Sequence, residues 1–159
     1  MLGTVLSGGR SSRFYEAIVR QKQLSSGVFA GSGENRGPGL FNVVSNANPG
    51  KSLADLEAAI DEEIEKVKAG PIADWEIEKA RTAARSNFVA SLGSSLTRAI
   101  LLSQYAMFYD QPNKINTRTD AIQKVTVADV QRVAKQYLVK TGRTVVLTMP
   151  KAAPAKGGL

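Results

Sequence analysis

The sequence predicts an α+β domain in which a small antiparallel sheet of about three strands is covered by four to six helices. Stretches after Lys51 carry apolar residues at three- and four-residue spacing, as amphipathic helices do. Two short strand-like segments flank a glycine-rich loop, and an apolar run near the C-terminus is long enough for one buried strand. At 159 residues, the chain has the length of about one domain.

The predicted strands form one hairpin and one separate strand. Segments 27–32 and 40–46 lie on either side of the glycine-rich loop 33–39, which is the pattern of a β-hairpin. The third strand is Thr144–Met149 (TVVLTM), and it stops at Pro150 because proline has no N–H to give to a sheet.

The predicted helices have recognisable starts and stops. Ser52 to Asp55 and Thr126 to Asp129 are both capping boxes, in which a side-chain oxygen binds a free N–H at the helix start. Gly70 followed by Pro71 ends the first of these helices. The predicted helices span residues 12–23, 52–70, about 74–92, 96–109, 119–124 and 126–138.

The simplest interpretation of the apolar stripes on these helices is that they face the hydrophobic core. In helix 96–109 the residues predicted to face inward are Ile100, Leu101, Tyr105 and Phe108. The chain also begins, at residues 1–6, with what resembles the end of a helix.

Composition excludes several kinds of chemistry. The chain has no His and no Cys, so a typical zinc site, a His-based triad, a Cys nucleophile and a disulfide are all excluded. The net charge of +7 is concentrated in residues 81–159, but the basic residues are spread over helical positions with few aromatics between them. A solvated helix surface explains them better than nucleic-acid binding. No apolar run approaches the ~20 residues of a membrane span, and residues 1–9 do not form a signal peptide.

The domain organisation follows from the strand count. We expect residues 1–150 to form the domain and residues 151–159 to be a disordered tail. Three strands are few for so many helices, which predicts that an N-terminal piece of the domain is missing; the alternative is a complete small α+β domain with a frayed first helix. In the truncated case, an exposed sheet edge predicts self-association.

Four segments, in order and with matching gaps, resemble the insulinase/pitrilysin type of zinc peptidase, which includes the mitochondrial processing peptidase. They are LSGGRSSRFY at 6–15, which resembles GG-x-S-S-R-L-Y; the helix 16–24, similar to L-R-x-K-x-L; PGLF at 38–41; and KVTVADVQRVA with the later YL at 124–138, which resembles V-T-x-x-D-V-Q-R-V-A…Y-L. The resemblance extends over nearly the whole chain.

The resemblance implies a role within a larger enzyme. In that family two related α+β halves close like a clamshell around an extended peptide, and zinc is bound in the first half by an inverted H-x-x-E-H motif whose glutamate activates the metal-bound water. This chain resembles the later part of the second half, which binds substrate without catalysing its cleavage. No cofactor is therefore expected in this chain, whereas zinc is expected in the intact parent, a metalloendopeptidase. The resemblance also suggests the bacterial periplasm or cell envelope.

One substrate-binding residue follows from the resemblance. The second half often contributes an arginine and, seven residues later, a tyrosine that hold the substrate backbone near the metal. Arg20 matches the arginine, but the tyrosine position is Gly27, or Ser26 in a register shifted by one. Arg20 is thus a candidate substrate-binding residue with a broken pair; the alternative is a solvated arginine that satisfies the last helix carbonyls.

Two functions remain open at this stage. In the first, the chain is the substrate-holding wall of a zinc peptidase and works with an N-terminal zinc-binding half. In the second, it is a non-catalytic structural subunit of a two-chain peptidase, and its surface only pairs with a catalytic partner.

Overall fold

The computed structural model describes residues 1–149, so the predicted tail at 151–159 lies outside the described residues. The helices are α1 (Leu2–Ser7), a π-helix (Tyr15–Gln21), α2 (Leu53–Ala69), α3 (Asp74–Ser91), α4 (Ser95–Tyr109), α5 (Lys114–Gln123), α6 (Val127–Tyr137) and a 3-10 turn (Lys140–Gly142). The strands are β1 (Ser25–Ser32) and β2 (Phe41–Ala47). The fold class is α+β, as predicted.

The sheet of the described residues has two strands, not the three that were predicted. β1 and β2 pair antiparallel, with Phe29 opposite Val44 and Ala30 opposite Val43, which confirms the hairpin. Residues 144–149 have no regular structure, and most of their apolar side chains are exposed. A strand needs a neighbour for its backbone hydrogen bonds, and the hairpin does not provide one for this segment.

The core lies where α1, the π-helix, α2, α3 and α6 meet the inner face of the hairpin. Its most completely buried apolar residues are Leu6, Phe14, Ile18, Val67 and Ala134. α1 packs on β1, the π-helix packs on β1 and α2, and α2 packs on α6. The predicted stripes of α2 and α6 therefore face the core, as amphipathic helices should.

The helix starts largely confirm the capping predictions. At α6, Thr126 Oγ1 accepts from Asp129 N–H at 3.2 Å and Asp129 accepts from Thr126 N–H at 3.0 Å, which is the full two-way box. At α2, Ser52 Oγ accepts from Ala54 N–H at 3.1 Å and from Asp55 N–H at 3.4 Å, so the forward half of the predicted box forms.

Three helix predictions need correction. The segment predicted as a regular helix over 12–23 contains the π-helix, in which Lys22 N–H bonds to Ala17 C=O, five residues back, at 3.0 Å. α5 begins at Lys114, five residues before the predicted start, because the turn after α4 leads directly into it. Ile100 is exposed instead of facing inward, because α4 lies at the edge of the helical layer and is covered on one side, around Tyr105.

No helix within residues 1–149 combines the length and the apolar character needed to cross a membrane.

Candidate peptide-binding site

Arg20 lies in the last turn of the π-helix, and its side chain is 72% exposed. The guanidinium Nη1 donates to both carboxylate oxygens of Glu16 at 3.2 Å. It therefore bonds to a neighbouring side chain and not to the last helix carbonyls. Because π-helices are rare and occur often at functional sites, this placement marks the segment as a candidate site.

The Arg20 cleft is a pocket of about 510 Å³ beside this helix. Its lining residues are Arg10, Tyr15, Glu16, Val19, Arg20 and Gln23. Two guanidinium groups and one phenol thus face a pocket that contains a single carboxylate. An excess of donors over acceptors suits a ligand that presents carbonyl or carboxylate oxygens.

Arg10 and Tyr15 form one wall of the Arg20 cleft. Arg10 Nε donates to the Tyr15 hydroxyl oxygen at 3.2 Å, and its guanidinium carbon lies 5.7 Å from the centre of the Tyr15 ring. The sequence pattern alone does not mark either residue as a binding residue. Their positions before and at the start of the helix gave no periodic signal, and the turn at residues 7–12 brings them together.

The far end of the π-helix is fixed by a sharp turn. Gln23 adopts a left-handed backbone with φ of 51°, and its carbonyl accepts from Asn48 Nδ2 at 3.0 Å. Asn48 N–H also donates to Leu24 C=O at 2.8 Å. These bonds fix the path of the chain between the helix that carries Arg20 and β1.

A cluster of charges on α2 lies next to this turn. Glu62 accepts hydrogen bonds from Lys22 and from Lys66, which together lower the pKa of its carboxyl group to about 2. Glu62 is therefore ionised at any physiological pH, and it neutralises Lys22 beside the site.

The segment just before the π-helix is anchored to α3 by a largely buried ion pair. Arg13 Nε and Nη2 donate to the two carboxylate oxygens of Glu76, both at 2.8 Å, and Nη2 also donates to Pro71 C=O at 2.8 Å. Burial acts to raise the pKa of Glu76, but the hydrogen bonds from Arg13 and from Ala73 N–H outweigh it, so the pKa lies below its usual value. Arg13, the second arginine of the GGRSSR motif, thus has a structural role.

The structure does not bring a tyrosine from the predicted position to Arg20. Gly27 and Ser26 lie at the start of β1, where the strand pairing is irregular between Ser25 and Val28. Gly27 N–H bonds to Ser25 Oγ at 3.1 Å. The phenol that does line the Arg20 cleft belongs to Tyr15, which precedes the arginine.

A larger cleft of about 890 Å³ lies between α1, β1 and α6, away from Arg20. Ser7 from α1 closes part of the β1 edge there, because its Oγ accepts from Ala30 N–H at 2.8 Å and lies 3.1 Å from Ala30 C=O. The N–H of Ala30 is thus satisfied by a side chain instead of by another strand. Arg20, the residue that the family resemblance indicates for substrate binding, does not line this cleft.

The donor set does not fit zinc. The sequence contains no His and no Cys, and residues 1–149 hold no group of three or more acidic side chains arranged to bind a metal ion. Zinc in proteins is bound by His, Cys and carboxylate groups, so no step of metal chemistry is assigned to the described residues.

Comparison with known proteins finds similarity to zinc proteases. The family described as the Peptidase M16 inactive domain matches residues 1–84. The zinc protease PqqE of Helicobacter pylori is 28% identical over 152 residues, which cover 94% of this chain and 33% of that protein. An uncharacterised zinc protease of Mycobacterium leprae is 27% identical over 92% of this chain and 33% of its own length. The chain thus spans about a third of the length of the curated relatives it matches.

Solved structures show the same fold. The inactive peptidase domain of a Bordetella parapertussis protein superposes with a TM-score of 0.84 at 26% identity, over 96% of this chain and 82% of that chain. A protease from Helicobacter pylori superposes with a TM-score of 0.79 at 26% identity, over 89% of this chain and 34% of that chain. Since the family match extends over more than half of the sequence, the chain belongs to the Peptidase M16 inactive domain family, the non-catalytic domain of zinc proteases.

Proposed function

We propose that this domain holds an extended peptide at the Arg20 cleft while a zinc-bearing half cleaves that peptide. The zinc-bearing half is the remainder of a longer chain or a partner subunit. The proposal is supported by the names of the relatives, which are zinc proteases about three times as long as the aligned segment. The single observation that carries it is the exposed guanidinium of Arg20 on a π-helix beside a donor-rich pocket.

Arg20 can exchange its present partner for a peptide at small cost. Its pair with Glu16 is an exposed i,i+4 ion pair, and pairs of this kind contribute about 0.3–0.5 kcal/mol. A hydrogen bond from a charged donor to a peptide carbonyl or carboxylate contributes about 1.5–3 kcal/mol. The exchange is therefore favourable, and Glu16 keeps the guanidinium positioned until a peptide arrives.

Tyr15 can supply the phenol that the family pattern places seven residues after the arginine. Its hydroxyl oxygen accepts from Arg10, which leaves its own proton free to donate to a peptide carbonyl. Tyr15 and Arg20 both line the cleft, so together they can bind nearby groups of an extended backbone.

A second candidate function is that of an assembly module which only pairs with a catalytic partner. It is favoured by the exposed segment that includes Val146, Leu147 and Met149, because an unpaired apolar segment is suited to join the sheet of another domain. In that case the Arg20 cleft would have no role in peptide binding.

The test is a peptide-binding titration with a matched control. Fluorescence anisotropy of a labelled, unstructured peptide is measured against the wild-type chain, Arg20→Ala and Arg132→Ala. Arg132 is the control because it is also an exposed helical arginine paired with a nearby carboxylate, Asp129, but it lies on α6. We expect Arg20→Ala to raise Kd about tenfold, the loss of one charged hydrogen bond, and Arg132→Ala to leave it unchanged.

Two results would favour the assembly module instead. One is that peptide binds equally well to the wild-type chain and Arg20→Ala. The other is that both arginine variants weaken binding to the same extent, which would indicate a general effect of net charge.

A further inference from the structure

The Arg20 cleft has one guanidinium that no carboxylate within residues 1–149 balances. Three charged side chains line the cleft, and they are Arg10, Glu16 and Arg20. Glu16 is paired with Arg20, because Arg20 Nη1 donates to both of its carboxylate oxygens at 3.2 Å. Arg10 takes part in none of the ion pairs of the described residues. The cleft therefore keeps one net positive charge, which is the guanidinium of Arg10.

Two acidic side chains from other helices contact the segment that carries the cleft, and both are already paired with other cations. Glu62 of α2 pairs with Lys22, and Glu76 of α3 pairs with Arg13. If either carboxylate moved to Arg10, it would leave its present cation without that partner. A carboxylate on a ligand is therefore the counter-ion that Arg10 can bind without disturbing these pairs.

Tyr15 holds the Arg10 guanidinium by one side and leaves its end free. Arg10 Nε donates to the Tyr15 hydroxyl oxygen at 3.2 Å, and the guanidinium carbon lies 5.7 Å from the centre of the Tyr15 ring. This bond uses Nε, and no hydrogen bond found in the described part of the chain uses the two Nη groups. Two parallel N–H donors match the two oxygens of a carboxylate, and such paired bonds to a charged acceptor are stronger than a bond to a neutral carbonyl.

We propose that the Arg20 cleft prefers peptides that present a carboxylate, and that Arg10 is the residue that selects them. This inference rests on the proposed peptide binding at the cleft and names the class of peptide. Arg20 and Tyr15 can donate to backbone oxygens, which every peptide has, so they do not discriminate between peptides. The carboxylate is an acidic side chain or the C-terminal carboxylate of the peptide, because both present the same two oxygens.

The preference is expected to be moderate. Arg10 is exposed, and an ion pair in contact with water contributes less than a buried one. A peptide with a carboxylate should therefore bind about three- to fivefold more tightly than a neutral peptide of the same length.

The experiment measures fluorescence anisotropy with four labelled nine-residue peptides that share one sequence. The reference peptide has Gln at its centre and an amidated C-terminus. The second has Glu at the centre, the third keeps Gln but has a free C-terminal carboxylate, and the fourth has Lys at the centre. We expect the second or the third peptide to bind the wild-type chain about three- to fivefold more tightly than the reference, and the fourth to gain nothing. The peptide that gains identifies the source of the carboxylate.

Three variants assign the preference to a residue. Arg10→Gln should bring the ratio of the Kd values for the neutral and the carboxylate peptide close to one. The control Arg132→Gln removes the same charge from α6, where the arginine is also exposed and paired with Asp129, and should keep the wild-type ratio. Arg20→Ala should weaken the binding of all four peptides and keep the ratio, because its donors bind the backbone. Circular dichroism checks that each variant is folded.

Two results would overturn the proposal while the peptide binding itself stands. In the first, neutral and carboxylate peptides bind the wild-type chain equally well and Arg20→Ala weakens both. In the second, Arg10→Gln and Arg132→Gln change the ratio to the same extent or leave it unchanged, which would attribute the preference to the net charge of +7. A different pattern, in which no peptide binds or Arg20→Ala changes no Kd, would overturn the proposed function and this inference with it.

Discussion

The ion pair between Arg13 and Glu76 should determine much of the stability of the site. Arg13 donates three hydrogen bonds at 2.8 Å, two to Glu76 and one to Pro71 C=O. The side chains of Arg13 and Glu76 are 16% and 11% exposed, so water can replace these bonds only in part. Arg13→Ala leaves the Glu76 carboxylate poorly solvated and without its cation.

The magnitude follows from burial. Removing one partner of a fully buried pair costs about 3–5 kcal/mol, and the residual exposure of this pair reduces the expected cost to about 2–3 kcal/mol. For a chain of 159 residues, each kcal/mol lowers Tm by about 2–4 °C, so Arg13→Ala should lower Tm by about 5–10 °C. Glu76→Gln keeps an oxygen acceptor and should cost less.

The assay is urea and thermal unfolding followed by circular dichroism, with Arg85→Ala as the control. Arg85 is an exposed arginine on α3, the helix that carries Glu76. Its loss should change the free energy of unfolding by less than about 0.5 kcal/mol. Equal unfolding of Arg13→Ala and Arg85→Ala would refute a stabilising role of the Arg13–Glu76 pair.

The pH dependence gives a second readout of the same pair. Because the folded-state pKa of Glu76 lies below its unfolded value, the pair stabilises the fold above the unfolded pKa. That contribution is lost as the pH falls through the folded-state pKa. Stability of the wild-type chain should therefore fall more steeply in acid than that of Arg13→Ala.

Three further substitutions test local packing. Thr126→Ala removes the N-cap of α6 and should lower the free energy of unfolding by about 1 kcal/mol in urea titration. An unchanged free energy of unfolding would mean that another group caps the helix. Tyr105→Phe should be neutral or slightly stabilising, because among the described residues the buried hydroxyl has no hydrogen-bond partner; a clear loss in Tm would reveal a hidden partner. Gly3→Ala should cost about 1–3 kcal/mol, because the new Cβ would lie 2.5 Å from the backbone oxygen of Ala30; an unchanged Tm would show that α1 moves freely against β1.

Local signals predicted much of the fold correctly. The capping residues Ser52 and Thr126 mark real helix starts, and the glycine-rich loop 33–39 does join two antiparallel strands. These features depend on interactions between residues that are close together in the sequence, so the sequence alone is enough to predict them.

Features that depend on distant neighbours were not predictable in the same way. Thr144–Met149 has the composition of a strand, but a strand also needs a partner edge, and composition does not reveal whether one is present. Ile100 fits an apolar stripe, yet only the packing of α4 decides which of its two apolar faces is covered.

Of the residues that line the candidate site, the sequence indicated only Arg20, and its binding role stays a prediction. The family resemblance singled out Arg20, and the structure places it, exposed, on a π-helix. A π-helix arises from the way a segment is fitted between its neighbours, and no residue pattern here indicated one. Tyr15 and Arg10 enter the cleft through that local geometry.

The central claim is that this domain binds peptide but does not cleave it. Its most direct test is to incubate the chain with zinc and a labelled peptide at a concentration where binding is detected, and to follow the peptide by mass spectrometry. We expect the peptide to be bound and to remain intact. Zinc-dependent cleavage by this chain, abolished by a chelator, would contradict it.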